Sequence, residues 1–301
     1  MKTIFIDCNE QLGRLWYRVL RPDDPLVALY RSRFEKHELP RVVGDHEIAI
    51  DDHSYMPTDL VRQCPNLKHI VFLGTGAASY MNVAEIEALG IKVHTIKGYG
   101  DTAVAEHTIA LMMAACRNIA MMDRYIRIGQ WRPTEGVQIF GKTLGLIGLG
   151  GIGAEVARIA KGMGMNVIAW NRTPRPNAPV PMVGLDELLE KSDVVSLHLT
   201  LGDETRGFLS AERIARMKPG AVLVNTARGA LVDEAALVEA LKSERIISAG
   251  LDVFHEEPLR DDHPLVSRNN VTLSAHAAFR TPEASMTLLR RALDIVKQVR
   301  S

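Results

Sequence analysis

Three apolar runs each end in residues that can do chemistry. "AVLVNTARG" ends in Thr226, Ala227 and Arg228. "ISAGLDVFHEEP" carries Asp252, then Glu256 and Glu257, and "VTLSAHAAFRT" carries Ser274 and His276. In an open α/β sheet, ligands sit beyond the carboxyl ends of the strands. An Arg, a Glu and a His from three strand ends can therefore converge. Together they suit carbonyl reduction. Arg clamps a carboxylate and polarises the adjacent carbonyl. His donates a proton to the carbonyl oxygen as a hydride arrives, and a carboxylate beside it orients the ring and keeps it a competent acid. Each residue alone has a plainer reading: a structural His after a strand, or a loop at Glu257-Pro258. The convergence carries the argument.

A hydride needs a carrier. "TLGLIGLGGIGAEVARIAKGMG" places Gly148, Gly150 and Gly153 in GxGxxG spacing, with Gly151 and Ile152 between them. The pattern follows an apolar strand, opens a helix, and is followed by the strand "NVIAW", which is the context of a dinucleotide-binding turn. Gly148 permits the turn, Gly150 lets the backbone approach a pyrophosphate, and Gly153 lets helix and strand pack closely, with amides and helix dipole holding the phosphates. The plainer reading is a glycine-rich turn with no ligand. At the tip of the second strand, where a carboxylate usually accepts from the adenosine ribose, stand Asn171, Arg172 and Thr173, with Arg175 close by. Asn does not repel a 2′-phosphate, and Arg172 offers it a charge-assisted fork. NADP(H) is therefore expected over NAD(H), the alternative being that both arginines are solvated loop residues and Asn171 serves NAD(H). Thr226, Ala227, Arg228 and His276 are expected beside the cofactor.

The elements that must position these groups follow from patterning. The first hundred residues alternate strand-like and helix-like pieces: "KTIFID", "HEIAIDDH", "PTDLVRQCPNLKHIVFLGTG" and "EIEALGIKVHTIKGYG". This predicts a small parallel sheet with covering helices. From Ala103, "AVAEHTIALMMAACRNIAMMDRYIRIGQW" predicts one long Met-rich apolar helical stretch, followed by the irregular connector "RPTEGVQIF". A second series follows, with strands "TLGLIG", "NVIAW", "VVSLHL", "AVLVNTA", "ISAGLDVF" and "VTLSAH" separated mostly by helices. Their continuous apolar character predicts a doubly wound parallel sheet buried on both faces. "TPEASMTLLRRALDIVKQVR" closes the chain as one amphipathic helix.

A chain of 301 residues is long enough for two domains. Lys plus Arg and Asp plus Glu number 36 each, so no global basic field advertises nucleic acid. Cys8, Cys64 and Cys116 show no CxxC pairing and read as reduced thiols. No signal-peptide core and no membrane-length apolar run is present. A soluble cytoplasmic protein without a metal site is expected.

The blocks "KTLGLIGLGGIG", "MKPGAVLVNTARGALVDEAALVEAL", "AGLDVFHEEPL" and "SAHAAFRTPEA" resemble, in order and spacing, the signature blocks of the D-isomer-specific 2-hydroxyacid dehydrogenases. The resemblance is close from about Gly98 to Glu283 and looser before. It implies an α/β fold of two flavodoxin/Rossmann-like doubly wound parallel-sheet domains, with the cofactor domain (102–282) inserted into the substrate domain (1–101 plus 283–301). It implies that Arg228 binds substrate carboxylate and carbonyl, that His276 is the general acid/base, and that Glu257, directly before the proline, is its partner. Asp252 matches a contact to the nicotinamide carboxamide. Backbone amides of Thr75 and Gly76, in the "GTG" loop, would hold the substrate carboxylate. A homodimer built through the helical region after Ala103 is also implied.

Three departures stand out. Asn171 replaces a frequent Asp, Ala278 stands where glycine is frequent and is followed by Phe279 and Arg280, and "GTGAASYMN" is one residue longer and lacks its usual acid. His53, Ser54 and Tyr55 follow a strand and read either as cleft residues or as a solvated turn. The expected activity is reduction of a 2-oxoacid such as glyoxylate or hydroxypyruvate to the D-2-hydroxyacid. The alternatives are oxidation of an unusual donor such as phosphite or formate on the same scaffold, and a dinucleotide-sensing corepressor-like scaffold without turnover.

Overall fold

A computed structural model of the chain describes residues 1–173 and 175–300; Pro174 of the "NRTPR" run and Ser301 lie outside the described residues. The chain divides into two compact units, Met1–Gly100 together with the segment from Arg280 on, and Asp101–Phe279.

The first unit is a five-stranded parallel sheet in the order β2-β1-β3-β4-β5. Its elements are β1 (Thr3–Phe5), α1 (Glu10–Val19), β2 (Ala28–Leu29), α2 (Leu39–Val43), β3 (Ile48–Asp51), α3 (Thr58–Val61), β4 (His69–Phe72), α4 (Val83–Ala88) and β5 (Lys92–Thr95). Asn9 starts α1 by accepting from the Leu12 amide at 2.9 Å, satisfying one of the orphan donors of the first turn. The C-terminal amphipathic helix belongs to this unit, and Leu288, Leu289, Leu293 and Val296 on it pack with Phe5, Trp16 and Val71.

The second unit is a six-stranded parallel sheet in the order β11-β10-β9-β8-β6-β7. Its elements are α5 (Asp101–Cys116), α6 (Ile119–Arg127), β6 (Thr143–Ile147), α7 (Gly151–Gly162), β7 (Asn166–Trp170), α8 (Leu185–Lys191), β8 (Val194–Leu197), α9 (Ala211–Arg216), β9 (Ala221–Asn225), α10 (Glu234–Lys242), β10 (Ile246–Leu251) and β11 (Val271–Leu273). The terminal helix of the first unit is α11 (Pro282–Arg300). Strands β8 and β9 are buried at every position, as continuous apolar runs require when helices cover both faces. The strand order reverses at β6, which has β7 on one side and β8 on the other. That is where a doubly wound sheet opens a crevice.

The single helical stretch expected after Ala103 is two helices. Asn118 adopts a left-handed conformation, φ 53°, its side-chain amide donates to the Glu135 carbonyl at 2.7 Å, and the Val137 amide donates to the Cys116 carbonyl. The returning chain captures the groups that would have continued the helix. α5 is mostly apolar and buries residues such as Ala105, Thr108, Leu111, Met112 and Cys116, with Thr102, Glu106 and Ala110 exposed, whereas no residue of α6 is fully buried. Ile126, Ile128 and Trp131 are exposed there. Cys8, Cys64 and Cys116 are free buried thiols, and burial pushes each up to about 11. No described helix is long and apolar enough to cross a membrane.

Candidate active site

The expected acid, base partner and cation come from adjacent strand ends of the second unit. After β9, Asn225 shapes the turn: its Oδ1 accepts from the Ala227 amide at 3.0 Å and its Nδ2 donates to the Arg228 carbonyl at 2.9 Å. An Asx side chain closing its own turn is a local device. It leaves the Arg228 guanidinium donating to the Ala227 carbonyl at 2.6 Å. Gly229 follows because nothing larger fits. A Cβ there would lie 2.0 Å from the Phe254 carbonyl carbon. The missing methyl lets the Arg228 turn lie against the backbone leading to Glu257.

Glu257 is held at both oxygens. Oε1 accepts from the Phe254 amide at 2.9 Å, and Oε2 lies 2.6 Å from His276 Nδ1. Burial alone would raise its pKa, but the bond from His276, the Phe254 amide and the positive charges of His276 and Arg228 together hold it below the usual carboxylate range. Glu257 is an anion at neutral pH, so His276 carries its proton on Nδ1 toward that anion.

His276 sits in the left-handed region, φ 47°, which disfavours side chains bearing a Cβ. The conformation is held from one residue. The His276 amide donates to the Asp252 carbonyl at 2.8 Å. Asp252 Oδ1 accepts from the Ala277 amide at 2.9 Å and the Ser274 hydroxyl at 2.6 Å, and Oδ2 accepts from the Ala278 amide at 2.9 Å. Asp252 is fully buried. Burial would raise its pKa, yet the hydrogen bonds, led by those with His107 and Ser274, lower it overall. The resemblance implied a contact of Asp252 with the nicotinamide carboxamide; within the protein both of its carboxylate oxygens are engaged by the His276 turn. Ala278 is accommodated there in a buried position, and Phe279 meets the His276 ring edge-on at 6.3 Å.

The glycine turn closes as its spacing requires. Gly148 has φ 103°, and a Cβ there would lie 2.6 Å from the His198 carbonyl oxygen. Gly153, in the first turn of α7, approaches the Gly148 carbonyl, which a Cβ would meet at 2.3 Å. Gly150 differs: a Cβ on it would meet nothing within 4 Å. Open space over the N-cap glycine of a 12-residue helix fits a pyrophosphate held on amides and a helix dipole. Gly151 and Ile152 begin α7, with the Asp101 carboxylate against Gly151. Asn171 Oδ1 accepts from the Leu149 amide at 2.6 Å, so the residue that replaces the usual carboxylate buttresses the turn. Arg175 donates to the Leu149 carbonyl, and Arg172 pairs with Glu204, both partners exposed. Thr173 is exposed. Burial pushes His198 down to about 4, so it stays neutral beside the turn, its Nε2 2.9 Å from Ser196 Oγ.

In the first unit, Thr75 and Gly76 follow β4, and Gly76 starts a short 3₁₀ turn at Ala77–Ser79. His53 and Ser54 follow β3 in a loop clamped by Asp7, whose Oδ1 takes the Asp52 amide and whose Oδ2 takes the His53 amide and the Ser54 hydroxyl at 2.8–2.9 Å. Tyr55 is exposed, and the His53 ring stands edge-on to Tyr80 at 5.2 Å. Sequence reading missed Asn225, Gly229, His107 and Thr108. The Asn before a polar turn in "VNTARG" was a usable signal; the two helix residues left none.

The profile of the D-isomer specific 2-hydroxyacid dehydrogenase NAD-binding domain matches residues 109–278. A hydroxypyruvate reductase of Blautia hydrogenotrophica is 33% identical over 99% of this chain and 96% of its own. Among solved structures, a glyoxylate reductase from Paecilomyes thermophila superposes with a TM-score of 0.87 at 30% identity, over 99% and 95% of the two chains. An acyclic imino acid reductase in complex with NADPH and D-Arg gives 0.85 at 29%, over 99% and 97%. With its inserted second unit, its glycine turn and its Arg, Glu and His at neighbouring strand ends, the chain belongs to the D-isomer-specific 2-hydroxyacid dehydrogenases, nicotinamide-dinucleotide-linked oxidoreductases of 2-oxoacids and 2-hydroxyacids.

Proposed function

We propose that this protein reduces a small 2-oxoacid, of the glyoxylate or hydroxypyruvate kind, to the D-2-hydroxyacid, with NADP(H) preferred and NAD(H) as the alternative. The observation that carries the mechanism is the 2.6 Å pair between His276 Nδ1 and Glu257 Oε2, with the Arg228 charge acting on the same carboxylate. The dinucleotide, when bound on the Gly148–Gly153 turn, supplies the hydride. Arg228 binds the substrate carboxylate and draws charge toward the carbonyl oxygen. His276, with Nδ1 held by Glu257, gives that oxygen the proton on Nε2, and the Glu257 anion stabilises the charged ring. In the reverse direction the ring takes the proton back. Thr75 and Gly76 supply amides for the substrate carboxylate, in a substrate domain of residues 1–101 and 283–301; residues 102–282 form the cofactor domain.

The NADP(H) preference rests on the second strand tip. Asn171 spends its oxygen on the Leu149 amide, which leaves its amide group as a donor rather than a charge that repels a phosphate. The Arg172 pair with Glu204 is exposed, and exposed ion pairs are worth about 1 kcal/mol or less, so a 2′-phosphate can take the guanidinium over. Exposed Ile126, Ile128 and Trp131 beside the helices after Ala103 support a homodimer, and a cytoplasmic location accords with three free thiols. The test compares kcat/KM for glyoxylate and hydroxypyruvate with NADPH and NADH. A ratio at least tenfold in favour of NADPH is expected. A ratio favouring NADH overturns the reading of Asn171 and Arg172. Dinucleotide binding without turnover across a 2-oxoacid panel, or turnover of phosphite or formate instead, overturns the substrate assignment.

A further inference from the structure

Two consecutive residues of α5 reach two different strand ends. α5 lies across β9, β10 and β11, close enough to β10 that a Cβ on Gly250 would meet Leu111 at 3.0 Å, and Ser248 on that strand donates to the Ala115 carbonyl. From this platform His107 Nε2 lies 2.9 Å from Ser274 Oγ, at the end of β11. The Ser274 proton goes to Asp252 Oδ1 at 2.6 Å, so its oxygen is the acceptor and His107 donates from Nε2. The relay ends on the carboxylate that holds the Ala277 and Ala278 amides, and with them His276. Thr108 turns the other way. Its hydroxyl donates to the Val104 carbonyl at 2.7 Å, and its oxygen therefore accepts from Thr226 Oγ1 at 2.8 Å, at the end of β9, two residues before Arg228. Both threonines are buried.

The spans agree. Ser274 and Thr226 flank β10, about two strand spacings or ~10 Å apart. Neighbouring side chains on a helix diverge by about 100°, so residues 107 and 108 can address both ends from one peptide. We infer that His107 and Thr108 are positioning residues that register the proton donor His276 and the carboxylate clamp Arg228 to one turn of α5 and so set the distance between them. The inference rests on the roles proposed for those two residues. A helix that needed only to dock would be served by its apolar face, which is already buried against the sheet. Two polar contacts aimed at the two strand ends, one buried (Thr108–Thr226) and one half-buried (His107–Ser274), exceed that need.

The test uses the full chain, with kcat, dinucleotide KM and Tm measured for His107→Ala, His107→Gln, Thr108→Val and Thr108→Ser. Gln keeps a donor near Nε2, and Ser keeps the hydroxyl. The expected result is a tenfold or greater loss of kcat in the Ala and Val variants. Dinucleotide KM should stay within twofold, and Gln and Ser should largely restore kcat. The double Ala/Val variant should lose less than the product of the two single losses, because both act on one distance. Hydrogen exchange supplies a readout that does not depend on turnover: the Ala277 and Ala278 amides should exchange faster in His107→Ala and recover in His107→Gln. Losses of kcat that follow Tm without rescue, or unchanged exchange at Ala277 and Ala278, overturn the inference. Undiminished turnover in His276→Ala instead sinks the catalytic reading beneath it, whatever the exchange data show.

Discussion

Replacing Asp252 by Asn tests the clamp on the catalytic turn. The side chain keeps its size and loses one acceptor. In the native turn Oδ1 takes two donors and Oδ2 takes one, all within 2.9 Å, and His107 Nε2 stands 3.5 Å from Oδ1. An amide can satisfy the Ser274 hydroxyl and the Ala277 amide with its oxygen, but its NH2 group then faces the Ala278 N–H, donor against donor. The opposite rotamer strands two donors instead. The smaller loss is one hydrogen bond to a charged group plus a buried unpaired donor, roughly 2–4 kcal/mol. A unit of this size shifts its Tm by about 2–4 °C per kcal/mol, so a drop of roughly 5–15 °C is expected at pH 7. The sign with pH is fixed by the lowered pKa of Asp252. A depressed carboxylate contributes its stabilisation above its unfolded pKa, about 3.9, and loses it as pH falls through the folded value. The gap between wild type and variant should be constant from pH 7 to about pH 4 and narrow below. Thermal unfolding followed by circular dichroism, with kcat measured on the same samples, checks both parts. A variant within 0.5 °C of wild type at pH 7, or a gap that persists undiminished in acid, would refute the clamp.

Other perturbations probe the groups the clamp serves. Glu257→Gln keeps an acceptor for His276 Nδ1 but no charge, and should lower kcat by about 10- to 100-fold with little change in dinucleotide KM, the scale of one general acid–base partner; an unaltered kcat would remove Glu257 from the mechanism. In the wild type, protonation of Glu257 should not depress the rate until the pH is below the ordinary carboxylate value of about 4.3; a rate limb at higher pH that disappears in the Gln variant would contradict the anion assignment. Arg228→Lys replaces a planar fork by a point charge, and kcat/KM for the oxoacid should fall about 100-fold or more, through both KM and kcat. Gly229→Ala forces a methyl into the Phe254 backbone, so the turns carrying Arg228 and Glu257 must separate; a tenfold or larger loss of kcat is expected, and full activity would show that their approach is dispensable.

Most strands of both sheets could be read from composition, because a strand buried on both faces declares itself as an unbroken apolar run, as "AVLVN" does; the two-residue β2, only partly buried, gives no such run and was not anticipated. The glycine turn was legible because its spacing is local, with Gly153 against the Gly148 carbonyl five residues before it, although Gly148 itself lies against His198, just after the neighbouring strand β8. Arg228 and His276 were singled out by their place after strands, and Glu257 over Glu256 only by the resemblance, which puts the acid directly before the proline. What escaped was set by contacts distant in sequence. The break at Asn118 depends on a carbonyl at Glu135, and no periodicity in "AACRNIAMM" reports it. Nothing in the sequence ties Asp252 to the amides of Ala277 and Ala278, 25 and 26 positions away. His107 and Thr108 look like two polar residues in an apolar helix, and their partners lie 167 and 118 positions away.

A residue in the left-handed region followed by inward-pointing amides makes a concave nest with positive partial charge, which ordinarily collects an anion from solution. At His276 that concavity is already filled from within by the Asp252 carboxylate, so the turn is electrically neutralised by the fold itself. The turn that carries His276 therefore has its inward amides occupied by a carboxylate of the chain itself and offers them to no anion from solution. The turn at His276 is thus set in place by the fold's own carboxylate rather than by a bound ion.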